Sequence, residues 1–124
     1  MSQGSRHDRV GDLVRNELSV QLTRYVRDPG VRHVTVTHVR MSKDLEQARV
    51  FYIVPADEDA QTKRDASRAL RRARPFLRRR MAARLQLRRV PDLTFEYDDS
   101  AEQADRIAYL FEQINQARQP DVDD

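Results

Sequence analysis

Between Lys63 and Arg89 the chain carries twelve Lys or Arg residues against a single acid, Asp65, and eleven of the twelve are arginine. A guanidinium is planar, permanently charged and presents its donors as a fork that fits two phosphate oxygens at once. A surplus of +11 in 27 residues is therefore the footprint of a surface that holds a polyanion. The flanks do not share it. Met1 to Thr62 balances nine basic residues against nine acidic, and Val90 to Asp124 sets two basic against ten acidic. Nucleic acid is the polyanion to which the pattern points. The ratio of arginine to lysine, twenty-one to two, is weaker evidence than the clustering, because genome base composition also drives it.

Catalytic chemistry is sparse by comparison. Without cysteine, disulfides, thiolate nucleophiles and Cys-ligated zinc are excluded. His7, His33 and His38 have no metal-ligand spacing, and no Gly-rich phosphate loop or Ser-His-Asp arrangement is present. Glu96, Asp98 and Asp99 could be drawn as ligands of a Mg²⁺ in a nuclease, since Glu96 and Asp98 fall on one face of a strand. The competing reading makes them a solvated strand face and the turn before the Ser100 helix cap. Phe51, Tyr52, Phe76, Phe95 and Tyr97 lie in apolar patterns that read as core rather than as base-stacking platforms.

The elements that must carry the arginines follow from periodicity. Val10, Leu13, Val14, Leu18, Leu22 and Val26 recur at three- and four-residue spacing, which predicts an amphipathic helix over Arg6 to Arg27, stopped by Asp28-Pro29-Gly30. Val34 to Met41 and Gln47 to Val54 are β-branched and read as an antiparallel hairpin turning at Ser42-Lys43-Asp44-Leu45. Apolar parity shifts between Val36 and Val39, so a bulge is expected near His38. Asp57-Glu58-Asp59 opens a second helix with the stripe Ala66, Ala69, Leu70 and Ala73. Arg64, Arg68 and Arg71 fall opposite that stripe, with Arg72 at its edge. Pro75 lacks an amide hydrogen, so a break or kink is expected across Ala73-Arg74-Pro75, then a third helix with Leu77, Met81 and Leu85 inside and Arg79 outside. Leu93, Phe95 and Tyr97 alternate into a third strand after Pro91. Ser100 and Gln103 predict a capping box for a last helix whose inner face is Ala104, Ile107, Ala108, Phe111 and Ile114.

At 124 residues, 39% apolar and 35% charged, the chain has room for one core. The expected organisation is one α+β domain over 1–117 and a disordered acidic tail over 118–124. Helices must cover one face of a three-stranded sheet, because a lone sheet this apolar would not stay in water. No segment approaches the ~20 apolar residues of a membrane-spanning helix, and no leader-like apolar stretch opens the chain, so a cytoplasmic location is expected.

Several phrases resemble the bacterial ribosome-binding factor A family over about Arg9 to Ile107. They are Arg9-Val10, Glu17-Leu18, Arg27-Asp28-Pro29, VTVTHVRMSKDLEQARVF from Val34 to Phe51, ALRRARPFLR from Ala69 to Arg78, and LRRVPDLTFEYDDS from Leu87 to Ser100. The resemblance implies a type II K-homology-like fold, helix-strand-strand-helix-helix-strand plus a C-terminal helix. It also implies loss of the Gly-x-x-Gly phosphate clamp found in ordinary K-homology domains. Gly4, Gly11 and Gly30, the only glycines, stand far from that junction. Where the family has an Ala-x-Gly kink, this chain has Ala73-Arg74-Pro75.

What the resemblance implies in function is a monomeric, non-catalytic, cofactor-free factor. It would bind the precursor small ribosomal subunit and its rRNA, assist late maturation and 5′-end processing, and be linked functionally to maturation GTPases, with no membrane or small-molecule partner. The expected RNA-binding residues are Lys43, Arg64, Arg68, Arg71, Arg72, Arg74, Arg78, Arg79, Arg80, Arg88 and Arg89, holding phosphates by shape rather than reading bases. Two alternatives stand beside it, a general K-homology or helix-turn-helix nucleic-acid binder and the Mg²⁺-dependent ribonuclease. An acidic C-terminal helix lying across the basic face would quench part of its potential.

Overall fold

The computed structural model of the chain describes residues 5–55 and 59–118. Helix α1 (Arg6–Arg24) begins at a capping box, with the Ser5 hydroxyl accepting from the Asp8 amide and the Asp8 carboxylate from the Ser5 amide. It stops three residues short of the expected end. Its inward face is Gly11, Val14, Leu18, Gln21 and Leu22. A single 3-10 turn follows at Pro29–Val31, capped by the Asp28 carboxylate on the Gly30 amide at 3.0 Å. Strands β1 (Thr35–Met41) and β2 (Gln47–Ile53) form the antiparallel hairpin, and the expected bulge shifts the register between Val36 and His38. The shift lets Val36, Val39 and Met41 all face the helices.

Helix α2 (Ala60–Leu85) then crosses over to β3 (Asp92–Tyr97), which lies parallel to β2, as a helical crossover permits. Sheet order is β1-β2-β3. Helices α1 and α2 cover one face of it, burying Val14, Leu18, Ala48, Val50, Ala66, Leu70, Leu77, Met81 and Leu93 in one core. Tyr52, Phe95 and Tyr97 pack there as expected, whereas Phe51 points to the other face beside His38 and Arg49. The class is the α+β, K-homology-like one, with Pro91 buried just ahead of β3.

Two expectations are corrected. The first concerns the expected break and separate third helix, in whose place one helix of 26 residues runs through Pro75. The buried stripe explains this, because Ala66, Ala69, Leu70, Ala73, Leu77 and Met81 keep one face across the proline. Packing of both halves on the same core holds the helix together. Pro75 is exposed, and the carbonyl left without its amide partner, that of Arg71 four residues earlier, lies on the same outward face, where water can satisfy it. The second correction concerns α3 (Ser100–Arg118), which buries no residue. Ile107, Phe111 and Ile114, expected inside, are 50–62% exposed. Its start also differs, since Asp98 Oδ1 accepts from the Ser100 amide at 3.0 Å and the Ser100 hydroxyl at 2.6 Å in place of a Ser100–Gln103 box. The acidic Asp57-Glu58 pair and the expected tail beyond Arg118 lie outside the described residues.

Gly30 sets how closely the 3-10 turn meets α2. A Cβ there would stand 2.7 Å from the Ala69 Cβ and 3.0 Å from the Asp65 carbonyl oxygen, and neither neighbour can swing aside. Gly30→Ala is expected to destabilise the fold by about 1–3 kcal/mol, read as a lower urea midpoint at unchanged m-value.

Candidate nucleic-acid interface

Continuity of α2 decides the geometry of the basic surface. At 100° per residue Arg64, Arg68, Arg71, Arg72 and Arg79 fall within about a quarter turn of one another, opposite the buried stripe, and the first and last are about 22 Å apart along the axis. All five are exposed. Arg64 donates to the Gln61 side-chain oxygen at 2.8 Å. Arg72 is held by Asp28, with Nε and a terminal nitrogen at 3.0 and 2.9 Å from one carboxylate oxygen. The Gly30 amide, and then the Arg72 guanidinium, hold the Asp28 carboxyl below its ordinary range. Among the described residues Arg68, Arg71 and Arg79 have no carboxylate within ion-pair distance. Arg32, beyond the 3-10 turn, faces Arg68 and Arg72 across a groove of about 520 Å³. Its place there depends on how the turn packs on α2, which no local pattern encodes.

Other arginines of the cluster act inside the fold. Arg78 is half-buried and ties α2 to the entry of β3, donating to the Pro91 and Val90 carbonyls at 3.1 Å each and facing Asp92 at 3.3 Å. Arg80 lies over the Tyr25 ring at 3.9 Å, a cation–π contact that joins α2 to the end of α1. Arg74 is half-buried on the flank of the stripe. Arg84 approaches Glu17 at 3.8 Å, and Glu17 in turn accepts from the buried Gln21 at 2.8 Å. Lys43, Arg88 and Arg89 gather near the C-terminal end of α2, around a depression they share with Arg6. Arg89 is paired with Glu46 at 2.8 Å. Lys43 is exposed at the hairpin turn. None of the ion pairs among the described residues joins the acidic helix α3 to α2.

The three acids considered as a metal site are held apart by separate partners. Arg49 clamps Glu96 through two bonds of 2.9 Å and lowers its carboxyl pKa. Asp98 accepts from Ser100 through one oxygen and from the Thr37 hydroxyl, at 2.6 Å, through the other. Asp99 is at the start of α3, 3.3 Å from the Gln103 side-chain nitrogen. Among the described residues no three His or acidic side chains converge as a metal site would require.

Asp98 instead makes a structural clasp. The Ser100 hydroxyl, then Thr37 and the Ser100 amide, lower its pKa from 3.8 to about 2. Because the folded value is the lower one, the clasp's contribution is complete above pH 4 and is lost as pH falls from about 4 through 2. With the side chain 10% exposed, about 1–2 kcal/mol is expected from the clasp after allowance for solvent screening. Asp98→Asn should remove that part of the acid dependence, as urea titrations between pH 2 and 6 would show.

A profile of the family described as Ribosome-binding factor A matches residues 6–111. The ribosome-binding factor A of Syntrophobacter fumaroxidans is 38% identical over 110 residues, 89% of this chain and 94% of that one. That of Syntrophus aciditrophicus is 38% identical over 100% of this chain and 99% of its own. The crystal structure of ribosome-binding factor A from Thermus thermophilus superposes with a TM-score of 0.64 at 27% identity, covering 75% of this chain and 97% of that one. Coordinates for the Thermus thermophilus factor fitted into a cryo-electron-microscopy map of its 30S complex give 0.60 at 28%, over 75% and 96%. On sequence and fold together, this chain belongs to the ribosome-binding factor A family.

Proposed function

We propose that the chain docks on the immature small ribosomal subunit by laying the outer face of α2 along rRNA phosphates, and that it assists late maturation and 5′-end processing without catalysis. The observation that carries this is the continuous row of exposed arginines, of which Arg68, Arg71 and Arg79 have no acidic partner among the described residues. It joins the family membership and the 30S complex of the Thermus thermophilus relative. A rod of guanidinium groups reads backbone spacing and shape, which suits folded rRNA better than a base sequence.

Mechanically, such a factor acts by binding one rRNA conformation better than another and so biasing the folding of the region it covers. It works as a monomer in the cytoplasm, and a maturation GTPase acts on the particle it occupies. If about six phosphates are contacted, log affinity falls against log salt with a slope of about −4 to −5. Titrating small-subunit binding between low and physiological salt measures the slope, and a value near zero removes the phosphate contacts.

A further inference from the structure

At the far end of α2 from Arg64 a second feature combines three unusual properties. The depression there, about 310 Å³, is bordered by Val10 of α1, Leu45 of the hairpin turn and Leu87 of the link to β3. All three are half-buried and supply the apolar part of its lining. Arg6, Lys43 and Arg88 stand exposed around it, and among the described residues none of them has an acidic side chain within ion-pair distance. Two carboxylates, Asp44 and Glu46, also line the depression, and both are engaged. Asp44 accepts from the Ser42 hydroxyl at 2.6 Å and the Glu46 amide at 3.0 Å, and Glu46 is paired with Arg89.

Left-handed backbone converges on the same place. Leu45 has φ 62° and Gln86 has φ 53°, the only non-glycine residues with positive φ among those described. At Gln86 the left-handed backbone is an ordinary helix end, but for Leu45 it is costly and persists only where the surroundings fix it. Here Ser42 does so, its carbonyl accepting from the Leu45 amide at 3.0 Å and its hydroxyl from the Gln47 amide at 3.0 Å. The two left-handed positions bring Leu45 to the depression and turn the chain out of α2 so that Leu87 and Arg88 meet it.

We infer that this pocket takes a single unpaired nucleobase extruded from the bound RNA, its face on Leu45 and Leu87 and its flanking phosphates on Lys43, Arg88 and Arg6. The volume is at the low end of ligand sites, too small for a stacked strand. Cations around a partly apolar lining match a nucleotide, which is apolar on the base face and anionic on either side, and an arginine plane can itself stack on a base. The inference rests on the proposed RNA binding and adds to it a place where unpaired structure is sensed.

The test compares two labelled RNA hairpins of equal length with the full-length protein, one fully paired and one with a single bulged 4-thiouridine. The bulged hairpin is expected to bind about tenfold more tightly, from apolar burial of one base face on Leu45 and Leu87, and to crosslink at 43–45 or 87–88. Lys43→Glu with Arg88→Glu, both on exposed residues, should erase the preference, as should Leu45→Ser if that variant folds. Equal binding of the two hairpins, or crosslinks only elsewhere, overturns the pocket while leaving the arginine stripe in place. Failure to bind either hairpin at low salt overturns both.

Discussion

Replacing Arg71 and Arg79 together by glutamate weakens binding to small ribosomal subunits by at least about a hundredfold and leaves the fold unchanged. The first half follows from the stripe, since a charge-assisted hydrogen bond is worth ~1.5–3 kcal/mol. Losing two removes roughly 3–6 kcal/mol, where each 1.4 kcal/mol is tenfold, and the new carboxylates repel phosphate in addition. The second half follows from exposure, because neither side chain has an ion-pair partner among the described residues. Circular dichroism melting should coincide with that of the unaltered chain. Arg78→Glu makes the contrast, since Arg78 holds the Val90 and Pro91 carbonyls, so its loss is read as lower stability.

The second large effect is on the fold. Leu77→Ala is expected to destabilise the protein by about 2–5 kcal/mol, because Leu77 is fully buried on the C-terminal side of Pro75. Were the segment after Pro75 not packed on the core that holds Ala66 and Leu70, this residue would be loosely held and the penalty would be small. The measurement, by urea denaturation, therefore tests directly whether the two halves of α2 share one core. The row of arginines depends on that, as it stays on one face only while the helix does.

What the sequence allowed to be read was what periodicity encodes. The hairpin, the bulge beside His38, the strand after Pro91 and the opposition of Arg68 to Ala66 and Ala69 all come from local spacing, and all are present. Pro75 misled because its local penalty is fixed, whereas burial of Leu70, Ala73, Leu77 and Met81 on one stripe is a tertiary effect that outweighs it. For α3 the apolar spacing of Ile107, Phe111 and Ile114 correctly gave a helix, but spacing carries no information on whether a face meets the core. Among the site residues, charge clustering could not distinguish Arg79, which is exposed with no carboxylate partner among the described residues, from Arg78, whose acceptors come from Val90 and Pro91. Nor could it bring Arg6 to the same pocket as Arg88, since only the packing of α1 against the hairpin turn and the β3 link does so.

The most direct measurement is co-sedimentation of the unaltered protein and the Arg71→Glu, Arg79→Glu variant with precursor small subunits, mature small subunits and large subunits at two salt concentrations. The expected result is salt-sensitive pelleting of the unaltered protein with small subunits, strongest for precursors, and little pelleting of the variant. Equal pelleting of both proteins, or pelleting that does not distinguish small from large subunits, would contradict the account.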